Sequence, residues 1–189
     1  MSQEVINCKD RAPGMALRPG AGYDSDPRGQ LHHPVTTSMT DAARALAVTS
    51  ILIAFAMIRL SRHAIQSDPT SPTRLVAELR LAQFAALVLA LVAGTYIGFS
   101  LAQAATAGSG VDIALAIGFL MLASVAVTQS PHIALTLLAV GFGGHAIVDL
   151  IHGANVLPAD SLPDWYATAC AIYDVVMAGV CYLPIVRRA

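Results

Sequence analysis

From about residue 42 onward the chain is a succession of long apolar runs with almost no charge inside them. The runs cover approximately residues 42–60, 75–103, 113–128, 131–152 and 165–186, separated by short stretches of Pro, Gly, Ser and Asp. A helix on the surface of a soluble domain carries a polar face, whereas these runs are apolar on all sides. Their lengths approach the ~20 residues that an α-helix needs to cross a bilayer. Composition argues against a soluble alternative. Of the 189 residues 56% are hydrophobic and 12% charged, and so small a body has too much surface to bury that apolar share in water. The chain therefore reads as all-α, an integral membrane bundle of five transmembrane helices. The count falls to four if the first run lies on the membrane. The lipid bilayer is its first partner. A formal net charge of −1 leaves no basic surface for nucleic acid.

Two regions follow. Residues 1–38 carry Pro13, Pro19, Pro27 and Pro34, mixed charges and no apolar periodicity, and read as a disordered tail. They lack the basic start and apolar core of a signal peptide. The His32-His33 pair there reads as incidental, and Met39 is a candidate initiator. Residues 39–189 form the bundle. Its first run is the weakest, but Arg44 and Arg59 at its ends can snorkel to the interfaces. Thr49 and Ser50 are too few to give it the polar face of an interfacial helix. Gly94 and Gly98 form a GxxxG step suited to a close helix crossing. Pro131 suits the first position of its helix.

Alternating spans bring Arg59, Arg62, Arg74, Arg80, Arg187 and Arg188 to one end, whereas residues 103–112 and 153–164 contain neither Lys nor Arg. The positive-inside rule then makes the Arg-rich end cytoplasmic. The expected setting is a bacterial cell inner membrane, crossed several times, with the other end facing the periplasm. Cys170 and Cys181 lie about 16 Å apart along one helix, too far for a disulfide, and no CxxC or Cys/His zinc spacing occurs.

The polar residues inside the runs are not scattered. The fourth run ends Gly144-His145…Asp149…His152-Gly153, an H-x3-D-x2-H-G pattern. Steps of four and three residues keep all three side chains on one helix face. The fifth run begins Trp165-Tyr166, followed by Cys170, Tyr173 and Asp174 at similar spacing. His145 and Asp174 lie about 10 and 14 Å inside their helix ends. A short loop makes the two helices antiparallel neighbours, so the stripes can face each other in the outer half of the membrane. Tyr96, Ser100 and Gln103 reach the same depth. An ionised side chain at mid-membrane costs roughly 2.5–3.5 kcal/mol on insertion scales, and such residues mark functional sites.

Three readings stay open. His145, Asp149, His152 and Asp174 could ligate zinc or iron, since imidazole and carboxylate suit both metals. His145, Asp149 and Asp174 could instead do acid–base or proton-relay work. Or His145 and Asp174 could simply lock two helices together. Tyr166 and Cys170 stand behind these groups. Asp149 and His152 lie nearer the surface, where solvation alone would account for them. His63 and His132 fall at the Arg-rich end, Trp165 and Tyr166 also fit an interfacial aromatic belt, and Cys170 and Cys181 also read as small apolar packers.

The stretch Gly144-His145…Asp149…His152, Pro163-Asp164-Trp165-Tyr166, Cys170, Asp174 resembles a group of small bacterial membrane proteins of unknown function. Their pattern runs H-G-x2-D-x2-H, P-x-W-Y, then Cys and Asp; here the Gly precedes the first His. The resemblance implies a polytopic membrane protein and no particular activity. Fatty-acid desaturases need HxxxH and HxxHH boxes that this chain lacks. The leading expectation is a metal-binding or acid–base site near the periplasmic face, acting on a lipid or small apolar molecule. The alternative is a non-catalytic subunit or assembly factor, partnered by other membrane-protein subunits.

Overall fold

A computed structural model describes residues 36–102, 109–154, 156 and 164–187. They form five helices: α1 Thr36–Gln66, α2 Pro72–Ala102, α3 Ser109–Ala126, α4 Pro131–Gly153 and α5 Asp164–Val186. Most of the tail lies outside the described residues, but α1 begins at Thr36, slightly inside the stretch assigned to it.

Local sequence explains the breaks. Between α1 and α2, Asp68 accepts hydrogen bonds from the Thr70 amide (2.9 Å) and the Thr70 hydroxyl (2.8 Å). These bonds hold the Asp68 carboxyl below the usual carboxylate range. Ser71 then caps α2, its Oγ accepting from the Thr73 amide at 3.0 Å, with Pro72 as the first helical residue. Pro131 likewise opens α4, after Ser130 in extended geometry but without a side-chain capping bond.

Contacts fix the direction of every helix. Ser61 near the end of α1 reaches Val180 near the end of α5, and Arg74 at the start of α2 reaches Pro184. At the opposite end Tyr96 of α2 touches Asp149 of α4, and His152 touches Asp112 of α3. The helices therefore alternate up and down. Arg59, Arg62, Arg74, Arg80 and Arg187 collect at one end, and the His/Asp residues lie toward the other.

Four helices, α1, α2, α4 and α5, are long and apolar enough to cross a membrane. The chain is thus a multi-pass membrane protein. The weak member is not the first run but the third. The 18 residues of α3 reach about 27 Å, a few ångströms less than a ~30 Å hydrocarbon core. The outside of the bundle is apolar, with Ile51, Leu52, Phe55, Leu87, Leu91, Ile147, Leu150 and Ile172 exposed. The core lies among α2, α4 and α5, where Leu81, Leu89, Leu135, Leu138, Phe142 and Met177 are buried.

Glycine packing differs from the sequence expectation. A Cβ at Gly94 or Gly98 would meet nothing within 4 Å, so the GxxxG step faces outward rather than a neighbouring helix. The tight crossing is at Gly141 of α4, where a Cβ would run into Leu122 of α3 and approach Leu89 of α2 to 2.9 Å.

The Arg-rich end is clamped by a device centred on Pro184. Proline has no N–H, so the Val180 carbonyl four residues earlier loses its helical donor. Inside a membrane such an orphan must find another partner. Ser61 of α1 supplies it, Oγ donating to Val180 O at 2.9 Å. Arg74 of α2 donates Nη2 to Pro184 O at 3.2 Å and Nε to the buried Glu78 carboxylate at 3.0 Å. Three helices are tied at one level. Among the described residues the other half of α1 has no such anchor. Among the described side chains of α1 the buried ones, Met57, Ser61 and Ala64, all lie toward the Arg-rich end, and the described part of its first half stands against α2 and α5 without being enclosed by them.

Candidate functional site

The face shared by His145, Asp149 and His152 on α4 turns inward. Their solvent exposures are 2%, 0% and 2%. Solvation near the interface, expected for Asp149 and His152, therefore does not account for either residue. Packing of α4 against α5 brings Asp174 to His145. His145 Nδ1 lies 2.7 Å from Asp174 Oδ2 and 3.2 Å from Asp149 Oδ2. Tyr96 of α2 donates its hydroxyl to Asp149 Oδ1. Cys170, one turn before Asp174, places Sγ 3.9 Å from Asp174 Oδ2. The His145 ring is held edge-on by Tyr96 and Phe119, with centroids 5.1 and 4.8 Å away.

His145, Asp149, Cys170 and Asp174 each offer a ligating atom, and these atoms lie within 4.8 Å of one another. Three of the four belong to the set that the sequence pattern indicates. The pattern makes His152 the fourth, but the structure engages that residue elsewhere. His152 Nε2 is 2.8 Å from Asp112 Oδ1, and its Nδ1 is 2.9 Å from the Val148 carbonyl. Cys170, read as standing behind the cluster, takes part in it.

Hydrogen-bond inventory separates the two clusters. Val148 O can only accept, so His152 Nδ1 must carry a proton. Nε2 and Asp112 then share one further proton, which makes that dyad electrically neutral as a unit. The His145 cluster holds one acid more than the dyad. Two buried carboxylates face a single imidazole nitrogen, and Asp174 Oδ1 is buried with no hydrogen-bond partner. In a low-dielectric interior an unmatched carboxylate is costly. With both carboxylates ionised the cluster is short of positive charge, and Asp174 Oδ1 lacks a partner.

Other candidate residues fall as follows. Tyr166 is buried rather than in the aromatic belt, its hydroxyl bonded to Thr95 Oγ1. Trp165 is exposed, in keeping with a belt position. Ser100 is buried with an unpartnered hydroxyl. Cys181 is buried in the apolar core. His63 and His132 are exposed at the Arg-rich end. Gln103 and the His32-His33 pair lie outside the described residues. Asp112 and Thr95 escape the sequence reading. Asp112 looks like an ordinary acid in the first turn of a helix, and nothing nearby in sequence distinguishes it. Thr95 sits in an unbroken apolar run.

Comparison of the chain with protein-family models, with curated proteins and with solved structures returns no match.

Proposed function

We propose that this membrane protein holds a transition-metal ion, zinc or iron, on His145, Asp149, Cys170 and Asp174. The observation that carries the reading is the buried, unpartnered Asp174 Oδ1 within a cluster of four ligating groups. A tetrahedral ion with bonds of about 2.0–2.3 Å needs its ligand atoms about 3.3–3.8 Å apart. Binding would require side-chain rotations that bring the observed spread of up to 4.8 Å to that distance. One imidazole, two carboxylates and a thiolate form an N/O/S set suited to either metal. Bound there, the ion would supply positive charge to the two carboxylates and Lewis acidity next to them. Tyr96 would orient Asp149 through its hydrogen bond, as outer partners do at metal sites. In a bacterial inner membrane, the Arg-rich end would face the cytoplasm and the site would lie in the periplasmic half.

A second reading, acid–base or proton-relay work, draws on the hydrogen-bonded line Asp174–His145–Asp149–Tyr96. Cobalt(II) titration of detergent-purified protein discriminates between the two. A metal site with a thiolate ligand gives a sulfur-to-cobalt charge-transfer band that is lost in Cys170→Ser, and zinc displaces the cobalt. No cobalt spectrum in folded wild-type protein would leave the relay as the better account.

A further inference from the structure

Because the anchor of α1 is at the Arg-rich end, its first half leaves a cavity of about 320 Å³ against α2 and α5. That volume is at the lower end of small-molecule sites. Leu46, Ser50 and Ile53 of α1 form one wall and Val92 and Thr95 of α2 another. Tyr166, Cys170 and Tyr173 of α5 close it. Among the described residues no charged side chain lines it. Its rim includes Ala47, Leu91 and Ala169, which are exposed on the surface that faces lipid. Cys170 belongs both to this cavity and to the buried cluster, so it is the partition between them.

Among the polar groups of the lining, which also include Ser50 and Tyr173, the Thr95–Tyr166 pair has a defined sense. Thr95 Oγ1 donates to the Val92 carbonyl at 2.6 Å. A threonine hydroxyl has one proton, so its bond with the Tyr166 hydroxyl must be donated by Tyr166. Tyr166 thereby spends its own proton and presents an oxygen lone pair. The corner next to Cys170 accepts hydrogen bonds. An apolar ligand with a hydroxyl satisfies it, whereas a carboxylate or a phosphate would bring an unpaired charge and no donor.

We propose that the cavity admits a single-chain lipid alcohol from the bilayer, entering sideways between α1 and α5 with its hydroxyl at Tyr166. Its role as a substrate rests on the reading of the His145 cluster as a reactive centre; its occupancy does not.

The test uses full-length protein in lipid nanodiscs and a fatty alcohol with a diazirine in its chain. The matching alkane and fatty acid serve as comparators. Saturable labelling should map to peptides covering 43–53 and 165–173. Ser50→Trp and Ala47→Trp, which fill the cavity from α1, should abolish it without lowering thermal stability. Tyr166→Phe should reduce the preference for alcohol over alkane roughly fivefold, the equivalent of one neutral hydrogen bond. Labelling that survives both tryptophan substitutions, or that does not distinguish alcohol from alkane, overturns the proposal. Metal content measured on the same samples keeps the two readings apart. Metal without cavity labelling removes the lipid site alone, and labelling without metal removes the metal alone.

Discussion

Replacing Ser61 with Ala removes the donor to the Val180 carbonyl, and Pro184 ensures that the helix cannot supply another. The group left behind is a buried acceptor. An unsatisfied buried polar group costs about 1–3 kcal/mol, while interhelical hydrogen bonds measured within bilayers average about 0.6 and reach about 1.7 kcal/mol. Ser61 is 2% exposed, so the expected loss is about 1–2 kcal/mol. The origin of the orphan gives a sharper test. In Pro184→Ala the substituted residue regains an N–H that can bond Val180 O in the ordinary helical manner, and Ser61 becomes redundant. The Arg74 contact is to the Pro184 backbone carbonyl and survives the change. Ser61→Ala should then cost less than about 0.5 kcal/mol, which gives a coupling of about 1 kcal/mol between sites that only this geometry connects. Reversible unfolding in bicelles or mixed micelles, followed by tryptophan fluorescence, measures all four corners of the cycle. An equal cost of Ser61→Ala in both backgrounds would refute the reasoning.

Three further sets of substitutions probe other parts of the account. Asp112→Leu and His152→Leu should each destabilise the bundle by about 3–5 kcal/mol by stranding a buried partner, while the double substitution should cost less than either alone; additive losses in the same unfolding assay would count against the pairing. Gly141→Ala should cost about 1–3 kcal/mol, because Leu122 and Leu89 must move. Gly98→Ala, with open space around its Cβ, should be neutral or stabilising by up to about 1 kcal/mol, and a clear loss there would instead reveal a partner helix on that face.

The fold was legible because lipid imposes a one-dimensional rule: runs of suitable length and apolarity become helices, and short loops make them alternate. Arg distribution separated the two ends for the same reason. Facing stripes on α4 and α5 followed from helix periodicity alone, which is why His145 and Asp174 can be paired from sequence. What periodicity does not give is the rotation of one helix against a third. His152 shares a face with His145, yet a shift of two turns along α4 brings it against α3 and Asp112 rather than against α5. Asp112 was hidden because an acid in a first helical turn has an ordinary explanation. The role of Ser61 was hidden as well, since it depends on a proline far away in sequence. Gly94 and Gly98 carried the expected motif, but the crossing formed at Gly141, where the neighbours happen to be large.

The central claim is that His145, Asp149, Cys170 and Asp174 are completed by a metal ion. Elemental analysis of detergent-purified, full-length protein tests it most directly, with wild type and Asp174→Asn prepared side by side and circular dichroism verifying the helix content of both. The account predicts stoichiometric zinc or iron in the wild type and its loss in Asp174→Asn at unchanged helicity. Folded wild-type protein that carries no metal, and takes up none when either ion is supplied, would contradict it.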